Sequence, residues 1–126
     1  MYIITKQFSF EAAHQLAGLP REHQCSRQHG HSYRVEVELS ADKLNYAGFV
    51  VDYGELDAFA SYLKGTFDHR DLNEVVPREW AESLSIRQTT AENLARGFFV
   101  WCKYNWPQTR AVRVSETQKT WAEYRP

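Results

Sequence analysis

The chain lacks the features that would place it in several large protein classes. Only two cysteines, Cys25 and Cys102, occur among its 126 residues, and we expect both to be reduced thiols rather than a disulfide. The net charge is -1 and no cluster of five basic residues occurs, so neither nucleic acid nor a membrane is an expected partner. No apolar run reaches the length of a membrane span or of a signal-peptide core. We therefore expect a cytoplasmic protein.

What remains is an ordinary globular composition. Hydrophobic residues make up 43% of the chain and charged residues 25%, which is typical of a soluble domain with its own core. The sequence has no internal repeats and no low-complexity segment. We expect residues 1–126 to form one domain.

Two alternating stretches carry three histidines. Residues 32–39 place apolar side chains at every second position, which predicts a half-buried strand. Extending that parity backward puts His29 and His31 on one face, about 7 Å apart. His14 has the same relation to the apolar residues 8, 10 and 12. Three neutral imidazoles on paired strands suit Zn²⁺ and leave its fourth position open, as in catalytic zinc sites. The alternative is three hydrogen-bonded histidines without a metal.

The predicted elements follow the order β-β-α-α-β-β. Residues 2–16, 31–41, 111–117 and 120–124 read as strands. Asp52 with Glu55, and Thr89 with Glu92, have the spacing of helix caps, and the second helix should end before Trp106. Residues 68–87 form a long irregular connection. We predict an α+β fold with a four-stranded antiparallel sheet, both helices on one face, and exposed strand edges that favour a homo-oligomer.

Cys25 lies four residues before His29, in the loop that enters the second strand. Its thiol could be a fourth zinc ligand that closes a structural site. It could equally stand beside the metal as a base or nucleophile. The spacing leaves both interpretations open.

Two further sites carry acidic groups. Asp68 next to His69 can set the imidazole tautomer for acid–base catalysis, although a histidine at a surface helix end is the alternative. Glu116 shares the parity of Val112 and Val114, and a carboxylate on an apolar face needs a partner or ligand. Its two oxygens match the guanidine-like edge of a heterocycle, unless it turns to solvent at the strand end.

Together these residues form a familiar set. The motifs in order are Phe10-Glu11-Ala12-Ala13-His14, Cys25-x3-His29-Gly30-His31-x-Tyr33, Asp68-His69-x2-Leu72-Asn73, Thr90-x-Glu92-Asn93 and Ser115-Glu116-Thr117. Over nearly its whole length the chain resembles the 6-pyruvoyltetrahydropterin synthase / 6-carboxytetrahydropterin synthase family. The resemblance implies the tunnelling fold, in which subunits assemble into a β-barrel with helices outside. The compact spacer before His29 resembles bacterial 6-carboxytetrahydropterin synthases of the queuosine pathway, whereas the connection 73–87 is longer than in common bacterial members.

The resemblance also implies roles for individual residues. His14, His29 and His31 would hold zinc, Cys25 as thiolate would remove a substrate proton, and His69, oriented by Asp68, would relay protons. Glu116 would clamp the pterin ring in a pocket completed near Thr90 and Glu92. We add Arg27, next to the metal-binding strand, as a candidate contact for triphosphate; a solvated loop arginine is the alternative.

The expected reaction converts 7,8-dihydroneopterin triphosphate to 6-carboxy-5,6,7,8-tetrahydropterin, with loss of triphosphate and acetaldehyde. The alternatives are triphosphate elimination alone, which gives 6-pyruvoyltetrahydropterin, an aldolase-like cleavage, or a non-catalytic domain stapled by zinc. The expected assembly is a homo-oligomer, either based on trimers, including a hexamer, or a tetramer.

Overall fold

A five-stranded sheet is the centre of the computed structural model, which describes residues 1–126. Its strands are β1 (Tyr2–His14), β2 (His29–Ala41), β3 (Arg70–Asp71), β4 (Thr109–Thr117) and β5 (Thr120–Tyr124), in the spatial order β3-β1-β2-β4-β5. The helices are α1 (Asp57–Thr66), α2 (Leu72–Val75), α3 (Arg78–Leu84) and α4 (Ala91–Asn105). None of them has the length and apolar character needed to cross a membrane.

The longest pairing joins β1 and β2 in an antiparallel ladder. Its register places Phe10 opposite Tyr33, Ala12 opposite His31, and His14 opposite His29. The alternation predicted from the sequence is confirmed, because the buried apolar residues of both strands fall on the parity that carries the histidines. One face of this ladder therefore holds both core and histidine side chains.

Helices α1 and α4 cover that face, as predicted. Phe59 of α1 packs edge-on against Phe8, with ring centroids 5.1 Å apart, and Phe98 of α4 does the same with Phe10 at 5.9 Å. Such perpendicular contacts are favoured geometries for aromatic rings. The two helices and the sheet thus share one aromatic core, and the predicted α+β class is confirmed.

The opposite face of the sheet carries ion pairs instead of helices. Glu38 lies on this face and is only 6% exposed because two arginines cover its carboxylate. Arg113 lies 2.6 Å and Arg125 2.7 Å from its oxygens. The hydrogen bond from Arg125, followed by that from Arg113, lowers the pKa of Glu38 to about 2. Arg125 follows β5, so this network ties the last strand to the centre of the sheet.

The predicted element count is wrong in one region. The connection 68–87 is not irregular: it contains the fifth strand, β3, and the two short helices α2 and α3. The sheet is also not purely antiparallel, since β3 runs parallel to β1 beside Ala12 and Ala13. Trp80 explains the helical turn of α3, because this buried side chain packs on Phe67 and Phe98 with centroids 5.9 and 5.7 Å away.

The helix starts also differ in detail from the predicted caps. Thr90 rather than Thr89 caps α4, its hydroxyl accepting from the Asn93 N–H at 3.3 Å. Asp52 caps a short 3₁₀ turn, Tyr53–Leu56, through the Gly54 N–H at 2.9 Å, and α1 begins after it. Strand β1 ends at His14 rather than at residue 16, and β2 begins at His29 rather than at residue 31.

Gly97 of α4 makes the packing of Trp80 testable. A Cβ atom at Gly97 would lie 2.5 Å from Cε2 and Cη2 of the Trp80 ring, closer than real contacts allow. We expect Gly97→Ala to lower the free energy of unfolding by about 1–3 kcal/mol through overpacking, measured by urea denaturation. The matched control is Gly65→Ala in α1, where nothing lies within 4 Å of the added methyl. Helix propensity predicts stabilisation of up to about 1 kcal/mol there; equal effects of both changes would contradict this account.

Candidate metal centre and active site

The three predicted histidines form a compact cluster at the end of the β1–β2 ladder. One potential ligand nitrogen from each of His14, His29 and His31 lies within 4.8 Å of the other two. The closest pair is His14 Nε2 and His29 Nε2, 2.9 Å apart. No other group of three or more histidine, cysteine or acidic residues in the chain has such geometry.

Backbone carbonyls determine the tautomers of two of these rings. His14 Nδ1 lies 2.9 Å from the Thr89 carbonyl oxygen, and His29 Nδ1 lies 2.7 Å from that of Arg27. Because a carbonyl oxygen only accepts, both Nδ1 atoms carry the proton and donate it. The two Nε2 atoms are then left with lone pairs that face each other. A cation between them satisfies both, which is the usual arrangement of metal-bound histidine.

Burial favours the neutral form of His14 and of His31. His14 is fully buried, and desolvation lowers its pKa below the ordinary value despite the raising effect of the Thr89 hydrogen bond. Desolvation likewise lowers the pKa of His31, whose buried Nε2 has no hydrogen-bond partner. Neutral imidazoles can bind a metal without first losing a proton. The residues present therefore fit a metal ion with three nitrogen ligands.

Cys25 lies beside the cluster and outside it. The half-buried residue sits in a 3₁₀ turn, Gln24–Ser26, and is not among the clustered ligands. It lines a cavity of about 320 Å³ together with His29 and His31. Of the two interpretations left open by the spacing, this placement favours a thiol next to the metal site over a fourth ligand.

Asp68 and His69 form a hydrogen-bonded pair just after α1. His69 Nδ1 lies 3.0 Å from Asp68 Oδ2, while Asp68 Oδ1 accepts from the Glu11 N–H at 2.8 Å. The Glu11 hydrogen bond, followed by that of His69, lowers the pKa of Asp68 below its ordinary value. Asp68 is thus an anionic acceptor for the His69 Nδ1 proton, which leaves Nε2 of that ring for proton exchange.

The backbone of His69 is strained. Its φ of 59° lies in the left-handed region, which residues other than glycine seldom adopt. The side chain is 77% exposed, and it borders a cavity of about 570 Å³ that His31 also lines. Strain of this kind is common at functional sites.

Glu116 ends the apolar face of β4, where the sequence predicts it. Its Oε2 lies 3.5 Å from His31 Nε2, and its side chain is 24% exposed. It borders a cavity of about 430 Å³ with His31 and Tyr33, and a second one of about 310 Å³ with Glu92. His31 therefore lines each of three cavities that separately contain Cys25, His69 and Glu116. A thiol, an imidazole–carboxylate pair and a carboxylate surround one metal-binding cluster.

Comparison with known proteins shows the family of the chain. The family model for 6-pyruvoyl tetrahydropterin synthase matches residues 3–126. The chain belongs to the 6-pyruvoyl tetrahydropterin synthase family. It is 37% identical to the 6-carboxy-5,6,7,8-tetrahydropterin synthase of Synechocystis, over 98% of this chain and 93% of the relative. The enzyme of the same name from Bacillus subtilis is 30% identical, over 98% of this chain and 84% of the relative. The family and the enzyme class predicted from the motifs, a tetrahydropterin synthase, are confirmed.

Two solved structures have the same fold as this chain. The 6-pyruvoyl tetrahydropterin synthase of Caenorhabditis elegans superimposes with a TM-score of 0.78 at 29% identity, covering 100% of this chain and 97% of that one. A protein from Wolinella succinogenes gives a TM-score of 0.81 at 19% identity, covering 98% of this chain and 97% of that one. The predicted tunnelling fold is confirmed, with one more strand than the sequence indicated.

The remaining predicted family residues differ in their surroundings. Glu92 is exposed and borders the smaller Glu116 cavity. Thr90 is used as the cap of α4 and does not line that cavity. Arg27 is exposed and borders the Cys25 cavity, while its carbonyl holds His29. Their roles toward substrate stay predictions.

Sequence reasoning missed two residues that support the cluster. Thr89 holds His14 through its carbonyl, and its hydroxyl also lies 3.2 Å from His14 Nδ1. A backbone contact of this kind has no signature in residue type. Tyr33 stacks on Phe10 with centroids 4.8 Å apart and meets His31 edge-on at 5.4 Å. Its parity with the histidines predicts burial but not this support of the ligand rings.

We expect His29→Ala to remove most of the bound metal while leaving the fold, because the aromatic core does not include His29. Two nitrogen ligands from protein bind zinc far more weakly than three. Metal content after dialysis, measured by atomic emission and paired with circular dichroism, tests this. His23→Ala is the control, since His23 lies in the same loop and outside the cluster. Stoichiometric zinc in the His29 variant would show the ligand assignment to be wrong.

Proposed function

We propose that the chain converts 7,8-dihydroneopterin triphosphate and water to 6-carboxy-5,6,7,8-tetrahydropterin, acetaldehyde and triphosphate. The observation that carries the proposal is the position of Cys25, in a compact loop whose cavity also contains two of the clustered histidines. Relatives from Synechocystis and Bacillus subtilis, named 6-carboxy-5,6,7,8-tetrahydropterin synthase, support the carboxy product.

We propose that the metal of this reaction is zinc, bound by His14, His29 and His31. Neutral imidazole ligands suit zinc, and three of them match the number that catalytic zinc sites use. When bound, zinc acts as a Lewis acid that lowers the pKa of substrate hydroxyl groups and of adjacent C–H groups. Hydrogen bonds to backbone carbonyls keep the rings of His14 and His29 oriented for it.

In this proposal Cys25 acts as the base. Its thiolate removes a proton from the side chain of the substrate, which lies in the cavity between the thiol and the histidines. His69 relays protons through Nε2, because Asp68 holds its Nδ1 proton. The exposure of His69 allows it to exchange protons with solvent or with a substrate that fills the larger cavity.

Glu116 provides the pterin clamp of the proposal. Its carboxylate can accept two parallel N–H bonds from the amino group and ring nitrogen of a pterin. The adjacent cavity of about 310 Å³ is within the range of small-molecule sites. Glu92 borders the same cavity, and Arg27 near Cys25 is our candidate for a triphosphate contact.

The proposal extends to assembly and context. β1 has a strand neighbour on its outer edge only at Ala12 and Ala13, and β5 ends the sheet on the other side. Free edges of this length favour pairing between subunits, so we include a homo-oligomer, trimer-based or tetrameric. We propose queuosine synthesis as the pathway of the carboxy product. We also propose a cytoplasmic location, where reducing conditions keep the Cys25 thiol free.

A second candidate product is 6-pyruvoyltetrahydropterin, formed by eliminating triphosphate while keeping the side chain. The similarity to the Caenorhabditis elegans enzyme, at 29% identity over the whole of this chain, favours it. The two reactions start from the same substrate and differ in whether a C–C bond breaks.

Incubation of the zinc-loaded protein with 7,8-dihydroneopterin triphosphate separates these outcomes. We expect the mass of the carboxy product and one acetaldehyde per product molecule. Accumulation of 6-pyruvoyltetrahydropterin without acetaldehyde would assign the chain to the second reaction. No product from zinc-loaded protein would favour a non-catalytic zinc-stapled domain.

The two cysteines provide a matched pair of variants for the same assay. Cys25→Ala should retain zinc and lose turnover, because the thiol acts beside the metal rather than on it. Cys102→Ala should retain turnover, since Cys102 is buried within α4. Loss of zinc in the Cys25 variant would instead make that thiol a ligand.

Glu116→Gln tests the pterin clamp. The amide keeps one acceptor oxygen and loses the charge, so at least tenfold weaker binding is expected from charge-assisted bonds of about 1.5–3 kcal/mol each. Fluorescence titration with 7,8-dihydroneopterin measures the affinity. Glu82→Gln on the exposed side of α3 is the control. Equal affinities of both variants would exclude Glu116 from the pterin site.

A further inference from the structure

The chain segment after β1 is held by side-chain amides rather than by a neighbouring strand. Asn73 accepts from the Gln15 N–H at 2.8 Å and donates to the Gln15 carbonyl at 3.0 Å. Gln88 does the same to Ala17, accepting its N–H at 3.2 Å and donating to its carbonyl at 2.9 Å. Each amide therefore satisfies both polar groups of one residue, as a paired strand would.

Leu16 lies between Gln15 and Ala17, and its backbone N–H points to the opposite side, toward Cys25. The Leu16 N–H donates to the Cys25 carbonyl at 2.9 Å. Beside it, the Gln15 side chain donates to the Ser26 carbonyl at 2.7 Å. Residues 15 and 17 are thus bonded on one side and residue 16 on the other, which is the alternation of a strand. The Cys25 turn therefore packs against residues 15–17, which Asn73 and Gln88 hold in place.

The other bonds of the Cys25 turn are mostly local. The His23 N–H donates to the Pro20 carbonyl, and the Ser26 N–H to that of His23. Such bonds keep the turn folded but do not fix its distance from the histidine cluster. The Arg27 carbonyl ties the end of the turn to His29 Nδ1. The long-range contacts of Cys25 and Ser26 themselves run through Leu16 and Gln15.

We propose that Asn73 and Gln88 are positioning residues that hold the Cys25 thiol at the metal site. The proposal rests on the proposed function, in which Cys25 is the base. Neither amide needs to touch the substrate. If the hydrogen bonds of Asn73 to Gln15 or of Gln88 to Ala17 are lost, residues 15–17 can shift and displace the Cys25 turn. Displacement of a catalytic group by about 1 Å can lower a rate about 100-fold.

The chemistry of the amide suggests the variants. An amide donates and accepts, whereas a carboxylate of the same shape only accepts. Asn73→Asp and Gln88→Glu therefore keep side-chain size and the bond to the backbone N–H, but replace the bond to the carbonyl by repulsion. Asn105→Asp is the matched control, since Asn105 donates to the Trp101 carbonyl at 2.9 Å near the end of α4.

The experiment measures turnover, zinc content and the alkylation rate of Cys25 by iodoacetamide on the full-length, zinc-loaded protein. Cys102 is fully buried, so Cys25 is the thiol that reacts in the folded chain. We expect Asn73→Asp and Gln88→Glu each to lower kcat at least tenfold and to change the alkylation rate of Cys25 at least threefold. Zinc content and KM should stay within about twofold, and Asn105→Asp should match the parent chain.

The readouts separate a positioning role from a merely structural one. Lower thermal stability of both variants, with kcat and alkylation rate unchanged, would overturn the proposal. If Asn73→Asp fails to fold, Gln88→Glu decides by the same criteria. Failure of the proposed function is distinct: the parent chain would then form no product, or Cys25→Ala would be active. Altered alkylation in Asn73→Asp and Gln88→Glu would still report displacement of the turn.

Discussion

The pairing register of β1 and β2 is the constraint on which the rest of the molecule depends. It places Phe10 opposite Tyr33 and His14 opposite His29, so core and metal-binding side chains follow one another on one face. Side chains alternate between the faces of a sheet, and a slip of β2 by one residue would move its whole set to the other face. The aromatic core would then lose Tyr33 and the cluster would lose His29 and His31. Burial of the core thus also fixes the geometry of the candidate metal site.

Those parts of the fold that depend on periodicity could be predicted from the sequence. The alternation in both strands and the apolar stripe of α4 are local signals, and the structure agrees with them. The segment 68–87 could not be predicted because its helices depend on tertiary contacts. Trp80 buries its ring against Phe67 and Phe98, and Gly97 leaves the space for it. The partners of Trp80 lie 13 to 18 residues away along the chain, beyond the reach of helical periodicity.

The candidate site divides in the same way. Parity predicts that the three histidines meet, because strand geometry carries His29 and His31 to one face. Residue type does not reveal the carbonyl groups of Arg27 and Thr89, which orient two of the rings from the backbone. For Cys25, the sequence shows only that it lies close to His29 along the chain. Whether a thiol coordinates a metal or stands beside it depends on how its loop folds back, and distant side chains control that.

The outer edge of β1 explains how these distant side chains come together. An extended edge exposes the N–H and carbonyl of every second residue, and each of them needs a partner. Asp68 and the His69 N–H bond the backbone N–H and carbonyl of Glu11, and β3 pairs with Ala12 and Ala13. The side-chain amides of Asn73 and Gln88 bond the backbone groups of residues 15 and 17. The segment between α1 and α4 therefore acts as a discontinuous strand along this edge. This segment contains the Asp68–His69 pair and holds the Cys25 turn through residues 15–17. The need of the β1 edge for hydrogen-bond partners therefore positions both proposed proton-transfer groups around the histidines.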